Sequence, residues 1–211
     1  MFFYKDRREA GKYLARILTE YDLKMPLVLA IPNGGVVVGK EIASALRVPL
    51  DLVIVKKIPI PQNPEAGFGA VTSDGEIILN TQILPQLGLS PTQVKELAQA
   101  VFEEIKKRMD YYGVSGDYSN IKGKTVILVD DGLASGITMK AALKTIKGYN
   151  PKRIIIVVPT ASARTFQKLA LEVDALICPD VRYGSFFAVA DAYENWYDVS
   201  DEEVKGIIGE N

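Results

Sequence analysis

The sequence predicts an α/β fold: a mainly parallel sheet with helices on both faces, a β-hairpin insertion and a small hood. Three observations carry this expectation. LVLAI (27–31), LDLVIV (50–55), TVILVDD (125–131), RIIIVVP (153–159) and DALICP (174–179) read as short strands, and LVLAI is apolar throughout, as strands buried on both faces are. Helical patterns separate them, and strand–helix–strand within about thirty residues is a βαβ unit with parallel strands. The alternation breaks over 56–80 and again after Pro179, which sets the insertion and the hood apart.

Taken in order, Asp6-Arg-Arg-Glu9 reads as a capping box opening a helix to about Glu20, with Ala10, Leu14, Ile17 and Leu18 on one face. A second helix follows LVLAI over about 35–46. KKIPIPQNPEAG (56–67) carries three prolines and is expected to be irregular. FGAVTSDGEIILN (68–80) reads as a hairpin turning at Asp74-Gly75. Ser90-Pro91-Thr92-Gln93 is a capping box with proline at the first helical position, opening a long charged helix to about Tyr112. GITMKAALKTIKG (136–148) is the next helix, and Ser162 starts another. The stretch 182–197 packs in six aromatics, and Ser200-Asp-Glu-Glu203 caps a short final helix. The expected organisation is a single domain, 1–211, with the hood built from about 1–22 and 180–211.

Composition narrows the function. The chain has 211 residues and a net charge of −1, so no nucleic-acid or anionic-membrane partner is expected. One cysteine, Cys178, and no histidine rule out an intrachain disulfide, histidine catalysis and Cys/His zinc sites. The start turns charged at Lys5 before any signal-peptide core forms, and no apolar run approaches the roughly 20 residues of a membrane span. A cytoplasmic location is expected.

Two stretches bear on phosphate. IPNGGVVVGKE (31–41) follows a strand and opens a helix, like the loop of a nucleotide hydrolase. Glu41, however, stands where such a site needs a hydroxyl for magnesium, and three valines replace its small turning residues. PNGG alone therefore reads as the loop, and a P-loop hydrolase is the weaker reading. In VILVDDGLASGIT (126–138) a buried strand ends in Asp130 and Asp131, followed by small residues and a helix start. The carboxyl ends of parallel strands are where open α/β sheets place ligands. A helix amino terminus suits a phosphate monoester.

VILVDDGLASGIT resembles the phosphoribosyl-pyrophosphate (PRPP) motif of the type I phosphoribosyltransferases. RREAG, GGVVV, NPE…GAV and VSDEEV extend the similarity over nearly the whole chain, to a group of predicted phosphoribosyltransferases of undefined substrate. The resemblance implies transfer of ribose 5-phosphate from PRPP to a nitrogen nucleophile, with Mg2+ as cofactor. It gives Asp130 and Asp131 the ribose hydroxyls and, through water, the metal. It gives Ala134, Ser135, Gly136, Ile137 and Thr138 the 5-phosphate. Asn33, Gly34, Gly35 and Lys57 receive the pyrophosphate; of Lys56 and Lys57, adjacent on a strand, only one is expected to face it. Phe186 and Phe187 are candidates for the base site. The proline-rich stretch falls where these enzymes have a mobile catalytic loop. Relatives usually carry Arg where Asn33 stands, and enzymes acting on 6-oxopurines carry Asp at the position of Ala134, which points to another acceptor. A non-catalytic PRPP-sensing regulator is the alternative, and the 91–112 helix is a possible homodimer face.

Overall fold

The computed structural model describes residues 4–61, 63–184 and 187–209. In chain order the elements are α1 (Arg7–Leu18), β1 (Pro26–Ala30), α2 (Gly34–Leu46), β2 (Leu50–Leu52), β3 (Val55–Ile60), β4 (Asn63–Thr72), β5 (Ile77–Leu79), α3 (Pro91–Tyr112), β6 (Thr125–Val129), α4 (Ile137–Gly148), β7 (Arg153–Val157), β8 (Thr160–Ser162), α5 (Ala163–Ala170), β9 (Ala175–Ile177), β10 (Asp180–Arg182) and α6 (Asp201–Gly209). They form two compact units. The first comprises Met1–Leu52, Tyr118–Gly136 and Tyr149–Asn211; the second comprises Val53–Asp117 and Ile137–Gly148.

The first unit holds the parallel sheet, in the order β2-β1-β6-β7-β9. Its three central strands are buried along almost their whole length, which is why their sequences show no polar alternation. Ile127, Leu128, Ile155 and Ile156 are sealed from solvent. Truncating any one of them to alanine is expected to cost about 2–5 kcal/mol. Asp6 caps α1 by accepting from the Glu9 N–H, as its sequence requires. The buried face of α1 comprises Arg7, Ala10, Gly11, Leu14, Ala15 and Leu18, and it packs on α2. A separate parallel pair, β8 with β10, lies beyond the ends of β7 and β9 and was not anticipated from sequence. Three residues per strand are too few for a periodic signal.

The second unit contains the antiparallel sheet β3-β4-β5 with α3 and α4. Ile58, Phe68, Ala70, Val71, Ala98, Val101 and Ile105 form part of its buried interior. The hairpin expected around Asp74-Gly75 is present as β4 and β5, and Gly75 adopts φ +83°. The long helix runs from Pro91 to Tyr112 behind the Ser90–Gln93 capping box.

Two expectations are corrected here. The run 50–55 is not one strand: β2 ends at Leu52 in the parallel sheet, and β3 starts at Val55 in the antiparallel one. The proline-rich stretch is not irregular either, because β3 reaches Ile60 and β4 begins at Asn63. β3 is an edge strand, where a proline's missing N–H forfeits no ladder bond, and the register shifts on both sides of Pro59 absorb the ring.

Candidate functional site

The site in the first unit is built where β1 and β6, adjacent and in register, both end. Val129 is the last residue of β6, and its carbonyl accepts from the Ile31 N–H at 2.9 Å. Beyond it the chain turns through Asp130 and Asp131, and the Asp131 N–H donates to Asp130 Oδ1 at 2.8 Å. Burial and the negative charge of Asp131 push the Asp130 carboxyl well above the usual carboxylate range. That is a costly place for an anion, and it suits a group waiting for hydroxyl donors or a cation.

PNGG lies directly against this acid pair. The Pro32–Asn33 peptide bond is cis, and α2 starts at Gly34. A Cβ on Gly34 would sit 1.8 Å from Asp131 Oδ2, and one on Gly35 would sit 2.9 Å from both the Asp130 Cα and the Val129 oxygen. Only glycine lets the two backbones approach so closely. The two phosphate-like stretches of the sequence, almost a hundred residues apart, therefore form one surface. Asn33 is committed elsewhere: its Nδ2 donates to the Val199 carbonyl at 2.7 Å and to Asp201 Oδ1 at 2.9 Å, at the start of α6. Its side chain ties the loop to the C-terminal segment.

Sequence reasoning missed Arg7. Its Nε donates to Asp131 Oδ2 at 2.8 Å and its Nη1 to the Tyr197 carbonyl at 2.8 Å. The guanidinium lies 3.9 Å from the Trp196 ring centre and 5.6 Å from that of Tyr193, a cation–π arrangement. The Tyr193 hydroxyl donates to the Asp131 carbonyl at 2.6 Å. A signal did exist: Arg7 falls in phase with Ala10, Leu14 and Leu18, so a charge sits on the buried face of α1. Of the aromatic-rich stretch, then, it is Tyr193, Trp196 and Tyr197 that gather around the acid pair. Phe187 is half-buried, and Phe186 lies outside the described residues.

After the acids, the loop is braced from β8 and α5. The Ala134 carbonyl accepts from Ser162 Oγ at 3.0 Å and from Thr165 Oγ1 at 2.5 Å. Ala134 and Ser135 are exposed. Gly136 has φ +72°, and a Cβ there would meet Thr165 Cγ2 at 2.5 Å. Ile137 and Thr138 open α4, in the second unit. Lys57 is half-buried on β3 in that unit, while its neighbour Lys56 pairs with Glu104 of α3, so the adjacent lysines have different surroundings. Glu41 pairs with Arg8 at 3.4 Å, a use unrelated to a nucleotide site. Burial pushes the Cys178 thiol up to about 12, leaving it unreactive at neutral pH.

Among the described residues no cluster of three or more His, Cys, Asp or Glu could cage a metal, and no helix is long and apolar enough to cross a membrane. Magnesium does not need such a cage. It keeps much of its water and binds through one or two carboxylates together with substrate phosphates. The acid pair fits that mode.

Comparison with known proteins bears on family and fold. The family model described as "Phosphoribosyl transferase domain" matches residues 4–175. Two proteins of Mycobacterium tuberculosis, from strains CDC 1551 and H37Rv, each named "Putative phosphoribosyl transferase", are 31% identical over 208 residues, or 99% of this chain. The chain spans 47% of the length of each. The crystal structure of TT1426 from Thermus thermophilus is 35% identical, with a TM-score of 0.80 and 99% of both chains covered. AQ2163 from Aquifex aeolicus shares the fold at 12% identity and a TM-score of 0.51, over 84% of this chain and 74% of that one.

Proposed function

This chain belongs to the phosphoribosyl transferase domain family, and from that premise we propose that it transfers ribose 5-phosphate from PRPP to a nitrogen nucleophile, releasing pyrophosphate. The observation that carries the reading is the contact of Gly34 and Gly35 with Asp130 and Asp131. It sets a loop able to take pyrophosphate beside carboxylates able to take ribose hydroxyls.

The chemistry is displacement at the anomeric carbon through an oxocarbenium-like transition state. It asks a protein for positioning, charge neutralisation and exclusion of water rather than for a histidine base. Asp130 accepts from the ribose hydroxyls, which add to the hydrogen bond that its carboxylate already receives from the Asp131 N–H. Asp131, fixed by Arg7 and by the Tyr193 contact to its carbonyl, holds the second hydroxyl. Ala134, Ser135, Gly136, Ile137 and Thr138 receive the 5-phosphate, with the dipole of α4 favouring the dianion. The Gly34–Gly35 backbone receives the pyrophosphate. Bound magnesium would supply further charge neutralisation on the leaving group, its water shell facing Asp130 and Asp131. The acceptor is a nucleobase other than a 6-oxopurine, since Ala134 brings no acid to the base.

The test is pyrophosphate release from PRPP across a panel of bases with magnesium, alongside calorimetric PRPP binding. Release with one base supports the full reading. Binding without release for any base makes the protein a PRPP sensor. Absence of PRPP binding overturns both.

A further inference from the structure

The amino ends of β1, β6 and β7 carry a second feature, at the opposite end of the strands from Asp130 and Asp131. The register aligns Pro26, Thr125 and Arg153 in one row across the three strands. A cavity of about 190 Å3 opens there, lined by Asp22, Lys24, Thr125, Lys152 and Arg153. Lys122 and Lys124 flank it in sequence, at the start of β6. Five cations thus gather at the starts of neighbouring strands.

Their compensation is poor. Lys24 has Asp22 at 4.0 Å, an exposed pair of little strength. Asp174, another nearby acid, is engaged by the Ile154 N–H at 2.7 Å. Among the described residues, half-buried Arg153 makes no ion pair, and Lys152 makes none. Thr125 is 1% exposed and lines the cavity. Like charges brought together across neighbouring strands are destabilising. A half-buried guanidinium without an ion pair thus lines the same small cavity as a buried threonine, and it is short of an acceptor.

One oxyanion would answer all of them. The cavity holds about six waters at ~30 Å3 each, too little to enclose a nucleotide and enough for one phosphate group. We propose that this pocket is a phosphate site, taking inorganic phosphate or the phosphate of a monoester. Arg153 and Lys152 supply charge, Thr125 donates its hydroxyl, and Lys24 closes the rim. The Val126–Val129 core of β6 lies between this pocket and Asp130, so the two sites are distinct.

The site stands independently of the transferase reading, and the experiment keeps them apart. Inorganic phosphate and, separately, ribose 5-phosphate are titrated into the full chain while backbone amides are followed by 1H–15N NMR. The expected result is saturable shifts at Lys124, Thr125 and Arg153, distinguishable from any at Gly136 and Ile137. Shifts with both ligands indicate recognition of the phosphate group alone; shifts with only one identify the source. Arg153→Gln should weaken binding about tenfold or more, because a charge-assisted bond is lost. Lys152→Gln, at an exposed position, provides a second variant that leaves the fold untouched, and it should weaken binding severalfold. Potassium chloride at matched ionic strength should leave these amides in place. The proposal is overturned by unsaturable shifts, by equal shifts with chloride, or by unchanged affinity in both variants.

Discussion

Arg7 donates to Asp131 across 2.8 Å from a position only 4% exposed, while its other arm holds the Tyr197 carbonyl. The first turn of the first helix thereby fixes one member of the acid pair, and the same side chain anchors the C-terminal segment. Breaking one partner of a buried pair leaves the other charge uncompensated, and such losses run to about 3–5 kcal/mol. Arg7→Met should therefore destabilise the chain by a few kcal/mol and weaken PRPP binding. Arg7→Lys should recover little of either, since one ammonium cannot reproduce the guanidinium's fork and stacking. Urea unfolding and calorimetry measure the two effects. Full recovery by lysine would show that only the charge matters.

Asp130 gives a pH signature. Burial and then the charge of Asp131 raise its carboxyl above the unfolded value of about 3.9. The folded state thus binds this proton more tightly than the unfolded one. The stabilisation is complete below the unfolded pKa and is lost as pH rises through the folded pKa. Asp130→Asn keeps an oxygen for the Asp131 N–H and has no charge to bury. Ligand-free Asp130→Asn should gain on the wild type as pH climbs above about 4, by at most about 1.4 kcal/mol per unit. The same variant should lose PRPP binding. A stability difference that does not change with pH would contradict the burial argument.

Gly34→Ala places a methyl 1.8 Å from Asp131 Oδ2, so the loop and the acid pair must separate. PRPP and pyrophosphate affinity should both fall by at least about tenfold, the loss expected when a single strong contact is broken. Gly206→Ala is the control: it meets nothing within 4 Å, lies inside α6, and should stabilise by about 0.4–1 kcal/mol with binding unchanged. Equal effects of the two substitutions would remove the steric explanation.

The parallel sheet was legible because strands buried on both faces are written as unbroken apolar runs, as in TVILV and RIIIV. The helix starts at Asp6, Ser90 and Ser162 were legible because capping is local chemistry. Pro59 misled because a proline's effect depends on whether its strand lies at a sheet edge, a tertiary fact. The acid pair was found from the strand that feeds it. The Arg7–Asp131 pair was not, since it joins residues 124 positions apart and no local pattern predicts such a partner. Asn33 could be placed in its loop, but its engagement with Val199 and Asp201 depends on where the C-terminal segment returns.

Thr165 offers the last test. Its hydroxyl and that of Ser162 both donate to the Ala134 carbonyl, and its methyl fills the space that Gly136 leaves open. Neither residue lies in the loop itself, so they act by holding its shape. Thr165→Val keeps the methyl and deletes the donor, whereas Thr165→Ser keeps the donor and deletes the methyl. If the hydrogen bond fixes the loop, valine should weaken ribose 5-phosphate binding severalfold and serine should not. Pyrophosphate binding, assigned to Gly34 and Gly35, should be unaffected by either. Titration calorimetry with the two ligands separates the outcomes. Equal weakening of both ligands by Thr165→Val would mean a general loss of structure rather than a loosened phosphate loop.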